Sequence, residues 1–210
     1  MRIAMVISGI LAALAFIVLI GFAIVWLVGF KRSKKTSSSV GKIGSSISAI
    51  VTAILLVIFV GIYVDYNHKN NVFVEKRIQY NLKYYQLSDK LKSISDEETN
   101  SWNDDIYLSS GDDYDPADSI DDIESTYSSD FKKIDKQFEQ LSAERTKLQK
   151  NNTGKYNFEI YNSSFKKVRN FRNTVVNPSG SYNSFSKKID NFGQSVDSSM
   201  DDLRDATYYR

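Results

Sequence analysis

Asp113, Asp115, Ile120 and Glu124 fall at positions 1, 3, 8 and 12 of a calcium-loop template, the one place where this chain arranges oxygen ligands in a metal-binding order. The template then breaks down. Ala117 takes position 5, Asp118 stands where a turn-forming glycine is required, and Pro116 lies inside the loop. The same residues read equally as a helix start: Asp115 as the cap, Pro116 in the first turn, and Asp118 and Asp121 close to the positive end of the helix dipole. No other metal or nucleophile chemistry has material to work with. The chain has no cysteine and a single histidine, His68 beside Lys69 just outside the second apolar run, so a His- or Cys-based catalytic pair or a zinc site has almost nothing to be built from. Gly41-Lys42 lacks the preceding glycine of a phosphate loop, and the sequons at Asn151 and Asn162 are chance matches in a chain rich in Asn, Ser and Thr. No enzyme, cofactor or catalytic residue is expected.

The elements that carry these residues begin with two apolar runs. Neither Ile3 to Phe30 nor Ile43 to Val64 contains a formal charge, and each passes the length of about 20 apolar residues that crosses a hydrocarbon core. The first run is too long for a signal peptide's apolar region and ends Val28-Gly29-Phe30-Lys31 rather than in a small-residue cleavage site. Between the runs, residues 31–42 hold five basic side chains, Lys31, Arg32, Lys34, Lys35 and Lys42, and no acid. Basic residues are retained on the cytoplasmic face, so this reads as a transmembrane hairpin in the cell membrane with a cytoplasmic turn and an extracytoplasmic carboxy-terminal domain. Lys69, Lys76, Arg77 and Lys83 follow the second run and oppose that orientation. Small residues recur every four positions, Ala4, Ser8 and Ala12 in one run and Gly41, Ser45, Ala49 and Ala53 in the other. Such stripes let helices approach closely in lipid. In an antiparallel hairpin the second stripe falls level with Phe22, Trp26 and Phe30; the alternative is that the stripes face lipid or a second copy of the chain.

The overall charge of +2 hides a division, because six of the 27 basic residues precede Asp65 with no acid among them. The remainder has 21 basic against 25 acidic residues, a net of −4, which lacks the broad positive field of a nucleic-acid binder. Beyond Val64 a helical stalk is predicted over 65–95, with Val74, Ile78, Leu82 and Tyr85 as one apolar stripe and Leu87, Leu91 and Ile94 on a shifted register. From Asp96 to Asp130 there are 13 acidic residues and no Lys or Arg, which predicts an acidic loop over 96–119.

Three further stripes step by threes and fours: Ile120, Ile123, Tyr127, Phe131, Ile134, Phe138, Leu141 and Leu148; Phe158, Tyr161, Phe165, Val168, Phe171 and Val175; and Tyr182, Phe185, Ile189, Phe192, Val196, Met200 and Leu203. Asn151-Asn152-Thr153-Gly154 and Asn177-Pro178-Ser179-Gly180 separate them as helix stop signals. No segment alternates with period two. The expected fold is all-α, a transmembrane hairpin over 1–64 followed by an antiparallel bundle of three to four helices over 120–210 completed by the stalk.

Residues 161–171 and 182–192 repeat each other at an offset of 21, three heptads, and Phe131-Lys132-Lys133-Ile134-Asp135 shares their Lys-Lys-Ile core. The repeat fits a heptad with an aromatic core and a solvated lysine face, or a repeated binding face. Val168-Arg169-Asn170-Phe171, followed by Val175 and Pro178, is similar to the closing helix pattern of the LemA family of membrane-anchored helical proteins. That family has a single anchor where this chain has two apolar runs, its earlier helix motifs are missing here, and the proline is one position out of step; the chain is not assigned to it. The composition resembles AT-rich bacterial coding. The functional expectation is a bacterial two-pass protein with the bilayer and a protein as partners, homo-oligomerisation being compatible with the small stripes. The outer domain would serve as an interaction or shielding module, with a role as accessory subunit of a membrane complex (secretion, transport, or prophage exclusion and immunity) as the alternative.

Carboxylates crowded without a basic neighbour repel one another, so divalent ions relieve some of that repulsion even where no fixed coordination exists. Calorimetric titration with calcium and with magnesium should show weak, similar binding by both, reduced by added salt because exposed charges are screened over about 8 Å at physiological ionic strength. Micromolar calcium-selective binding lost in Asp113→Ala and Glu124→Ala would establish a true calcium loop.

Overall fold

The computed structural model describes residues 2–32, 35–108 and 114–208, with the side chains of 35–38 and 208 left aside. Five helices account for nearly all of it: α1 (Arg2–Lys31), α2 (Lys35–Leu108), α3 (Pro116–Lys150), α4 (Glu159–Val176) and α5 (Tyr182–Tyr208). The chain is all-α, with no strand among the described residues. Its packing divides into two units, Met1–Asn71 with Thr153–Lys155, and Val72–Asn152 with Tyr156–Arg210.

In the first unit the least exposed positions of α1 are Met5, Ser8, Gly9, Ala12, Ala15, Leu19, Phe22, Ala23 and Gly29; those in the apolar part of α2 are Gly41, Gly44, Ser45, Ser48, Thr52, Leu55, Phe59 and Ile62. Steps of three and four predominate from Met5 to Phe22 on α1 and from Gly41 to Ile62 on α2, the spacing of a knobs-into-holes seam. Small residues there receive large ones. A Cβ on Gly41 would stand 2.5 Å from the Trp26 Cα, one on Gly44 would stand 2.5 Å from Phe22 Cε1, and one on Gly9 would stand 3.2 Å from Phe59 Cε2. These contacts run in opposite order along the two helices. The every-fourth-residue stripes are corrected accordingly: Ala4, Ala49, Ala53 and Phe30 are exposed, because a 3.5-residue period carries the seam through Gly44, Ser48 and Thr52 instead.

The second unit has one core, with contributions from α2, α3, α4 and α5. On α2 the inward residues are Phe73, Arg77, Tyr80, Asn81, Tyr84, Leu87, Ser88, Leu91, Ile94, Ser95, Glu98 and Trp102. The register of Leu87, Leu91 and Ile94 is therefore the one that faces the core, while Ile78 and Leu82 of the expected stripe are 54% and 51% exposed. Helix α3 buries Ile123, Phe131, Ile134, Leu141 and Leu148; α4 buries Tyr161, Phe165, Val168, Phe171 and Val175; α5 buries Phe185, Ile189, Val196 and Leu203.

The expected acidic loop is corrected to helix up to Leu108 and again from Pro116. Glu98, Trp102 and Ile106 recur at helical spacing and contribute to the interior, and that burial outweighs repulsion among the exposed carboxylates. Asp115 caps α3, its Oδ1 accepting from Ala117 N at 2.8 Å with Pro116 in the first turn. The connections after α3 and α4 pass through Gly154 and Gly180, both at positive φ (81° and 91°), where an L side chain is strained.

Between α3 and α4 the Phe138 and Phe165 rings stack with centroids 5.0 Å apart, and guanidinium groups cover the pair from outside, Arg172 5.6 Å from the Phe138 centroid and Arg145 4.9 Å from that of Phe165. Arg172 also bonds Asp135 at 2.5 Å, and Arg145 bonds Asn162 Oδ1 at 2.6 Å. Phe138, counted as core from its spacing, is only partly buried at this rim. Phe171→Ala, which empties a fully buried site, should destabilise a 67–210 fragment by roughly 3 to 5 kcal/mol in urea denaturation, whereas Phe138→Ala should cost about half of that. Equal losses at the two positions would contradict this core boundary.

Candidate functional site

Four polar side chains on α2, buried or partly buried, reach the main chain of α5. Tyr84 donates to Val196 O at 3.5 Å, Tyr85 to Met200 O at 3.2 Å, Asn81 to Leu203 O at 3.2 Å, and Arg77 to Ala206 O and Thr207 O at 3.3 Å each. Those carbonyls follow one another along a single face of α5. The last of them are end-of-helix carbonyls that have no intrahelical donor. Helix α5 carries no basic residue in its last turn, so Arg77 supplies the positive charge that a helix C-terminus favours, while its guanidinium lies 5.7 Å from the Tyr156 ring centroid. On the α4 side, the Tyr80 hydroxyl lies 3.0 Å from Tyr161 O and 2.9 Å from Ser164 Oγ. Burial pushes the Tyr80 and Tyr84 phenols well up, and Tyr161 up to about 12, so all three stay neutral hydrogen-bonding groups.

With this ladder turned into the α5 interface, the neighbouring edge of α2 is left outside. Ile78 and Leu82 form one wall of a groove of about 750 Å³, with Asn81, Tyr85 and Met200 at its floor and Asp197, Asp201 and Arg204 on the α5 wall. Asp197 pairs with Lys92, and Asp201 pairs with Arg204 at 2.8 Å. Outside the first unit, the exposed large hydrophobic residues are Ile78, Leu82, Tyr107 and Leu108 among those described. Tyr107 helps line a second hollow of about 430 Å³, shared with Tyr114, Pro116 and Tyr182. Behind it, Trp102 donates its indole N–H to the Tyr114 hydroxyl and lies 5.3 Å from the Phe185 ring.

Glu98 is fully buried and both of its carboxylate oxygens lack a hydrogen-bond partner. Burial, helped by the neighbouring charge of Glu97, raises its pKa to about 9, so the carboxyl is protonated at neutral pH. Tyr127 is shifted up as well, first by burial and then by Glu97, Glu98 and Asp130. Asp130 moves the other way, held down mainly by its hydrogen bond to Lys90, 2.9 Å away.

Of the residues singled out for cation binding, Asp115 is committed to capping α3, and Glu124 lies nine residues further along the same helix, roughly 13 Å by axial rise. Asp113 lies outside the described residues. Among the described residues no group of three acidic or histidine side chains gathers around one point. Lys31 ends α1, Arg32 follows it in a turn and Lys42 stands exposed on α2, while Lys34 and the Lys35 side chain lie outside the description. Sequence periodicity does not reveal the groove edge or Glu98: it places Ile78 and Leu82 on one apolar stripe of the stalk with Tyr85, and Glu98 in an acidic loop. A signal did exist for Glu98, which stands four residues from both Ile94 and Trp102. By length and composition α1 and the apolar part of α2 qualify to cross a membrane. Comparison with protein-family models, with curated proteins and with solved structures finds no match.

The protonated Glu98 gives the second unit a pH signature. Its folded-state pKa lies above the ordinary value of 4.5, so its contribution is fully present below pH 4.5 and is lost as pH rises toward about 9, at up to about 1.4 kcal/mol per pH unit. Urea denaturation of the 67–210 fragment at pH 5.5 and 8 should show a fall in stability that Glu98→Gln reduces by that one-group slope. An unchanged difference between the two pH values in Glu98→Gln would mean that this carboxyl is ionised in the folded chain.

Proposed function

We propose that this chain is a two-pass membrane protein in which α1 and the first part of α2 form a transmembrane hairpin, with Lys31, Arg32, Lys34, Lys35 and Lys42 at its cytoplasmic turn. The second unit is then an extracytoplasmic antiparallel bundle that serves as a protein-interaction or surface-shielding module. One observation carries the reading. Large apolar side chains such as Ile7, Leu14, Ile17, Ile24, Ile43, Ile50, Val57 and Val64 are exposed around both helices, while the small and polar seam residues are turned toward each other. Water does not tolerate such a surface and hydrocarbon does. The role is non-catalytic, since carboxylates alone would have to carry any reaction.

A second reading has its own support. Ala4, Ala49 and Ala53 face away from the seam, leaving small-residue positions open to another helix in the bilayer, as a subunit of a membrane complex or a homo-oligomer requires. Partner capture by the hairpin after deletion of the second unit would favour this alternative over an interaction module.

Reporters fused after Arg210 and inserted between Thr36 and Ser39 test the topology. The former should respond as extracytoplasmic and the latter as cytoplasmic, and protease added to intact cells should remove the second unit. Protection of that unit would reverse the orientation and turn the chain into a cytoplasmic adaptor; release of the chain into the soluble fraction would remove the membrane reading altogether.

A further inference from the structure

We infer that Lys31, Arg32 and Lys42, at the turn end of the α1–α2 hairpin, bind the phosphodiester headgroups of anionic phospholipids, an inference that rests on the membrane reading and adds a lipid class to it. Local geometry groups the three bases. Lys31 is the last residue of α1 and Arg32 follows it. Gly41 lies against Trp26, where an added Cβ would stand 2.5 Å from the Trp26 Cα, so Lys42 leaves α2 next to that level. From Trp26 to Lys31 is roughly 7.5 Å of axial rise along α1. A lysine stem can lie along apolar surface over such a distance and bring its ammonium group to the boundary with water. All three side chains are exposed. Lys34 and Lys35 add two further charges to the segment in sequence.

The hairpin offers no anion of its own at this end. Residues 1–64 contain no Asp or Glu. The first carboxylate is Asp65, roughly 35 Å from Lys42 by axial rise along the continuous helix α2, and it is already paired with Lys69 at 3.0 Å. That separation exceeds the hydrocarbon thickness of a bilayer, about 30 Å, so Asp65 cannot neutralise the basic end. Among the described residues no carboxylate pairs with Lys31, Arg32 or Lys42. The first turn of α2 also lacks the acid that a helix dipole favours there. An external anion is therefore required, and the apolar surroundings decide which kind. Trp26, Phe30, Val40 and Ile43 are exposed beside the bases. A phospholipid covers them with its acyl chains while its phosphate meets the cations, whereas free phosphate supplies only the second contact. Each base near an anionic surface is worth roughly a fivefold preference, and the three overlap in the headgroups they reach, so a total of about three- to tenfold over a zwitterionic lipid is expected.

The test uses the full chain reconstituted in vesicles with the same lipids in both leaflets, so that orientation does not enter. Trp26 is the reporter; Trp102 is the other tryptophan, and the Trp26→Phe chain supplies its background. Brominated phosphatidylglycerol or brominated phosphatidylcholine, which quench tryptophan on contact, is mixed in steps into unbrominated phosphatidylcholine. Trp26 should be quenched at mole fractions about three- to tenfold lower by the phosphatidylglycerol, a difference that shrinks as sodium chloride is raised. Lys31→Gln with Arg32→Gln and Lys42→Gln should lower the preference at least about threefold. Lys69→Gln with Lys76→Gln and Lys83→Gln, an equal loss of charge beyond the second apolar run, should leave it unchanged. Unaltered quenching by brominated phosphatidylcholine shows that each variant still inserts. Equal quenching by the two lipids, a preference that survives in the first triple variant, or one that falls equally in the second would overturn the inference. Loss of the preference to inorganic phosphate at constant ionic strength would assign the bases to a soluble anion and overturn it as well. If neither lipid quenches Trp26, the hairpin is not in the bilayer and the membrane reading fails together with this inference, a result distinct from equal quenching by both.

Discussion

Buried hydroxyl, amide and guanidinium groups need partners, and four side chains of α2 find them on the main chain of α5. Arg77, Asn81, Tyr84 and Tyr85 each reach a carbonyl between Val196 and Thr207. Unlike apolar contacts, which tolerate sliding, this series fixes register: a shift of one residue would strand several donors in a low-dielectric interior at about 1 to 3 kcal/mol each. The rest of the second unit follows from it. Tyr80 is directed to α4, where it meets Tyr161 O and Ser164, and the aromatic rings of Phe73 and Tyr161 pack edge to face with centroids 5.8 Å apart. Ile78 and Leu82 are turned outward by the same rotation of α2, so the groove and the polar ladder are two consequences of one register.

The acidic stretch shows how burial can outweigh charge. Thirteen carboxylates in 35 residues favour a solvated loop, yet the chain remains helical to Leu108 because Glu98 enters the core neutral and Trp102 fills it. A neutral acid with unpaired oxygens is a poor core residue but far less costly than a buried carboxylate, whose desolvation in real proteins amounts to several kcal/mol. Exposed acids of the same segment keep their charge and hydration. Asp115 turns its charge to structural use at the amino end of α3.

In the first unit, size rather than charge decides the pairing. Gly41 and Gly44 leave no room for a side chain opposite Trp26 and Phe22, and Gly9 accommodates Phe59 near the other end. A seam built this way gains its stability from close van der Waals contact, the interaction that remains available between helices when the surroundings are as apolar as the helices themselves. The same economy leaves the outer faces uniformly apolar. It is on those faces, together with the basic residues between α1 and α2, that the membrane reading rests.

Helix existence was legible from residue spacing alone. Stripes of threes and fours in α3, α4 and α5, the stop signals at Gly154 and Gly180, and the absence of any period-two run are local properties, and local properties survive without knowledge of the partner surface. The length and apolarity of the two first runs, the lack of cysteine and the shortage of histidine likewise bound the chemistry before any folding is considered. The face of α2 was legible at Leu87, Leu91 and Ile94 but not between Arg77 and Tyr84, where the inward stripe is written in arginine, tyrosine and asparagine, residue types that periodicity arguments do not count as core. Helices α4 and α5, brought alongside from more than 75 residues away, supply the carbonyls that make Tyr80 and Asn81 interior residues and leave Ile78 and Leu82 outside. The seam of the first unit was half legible for a related reason: small residues announce close approach, but whether they recur by four or by 3.5 is decided by the opposing helix, whose Trp26 and Phe22 need glycine in front of them.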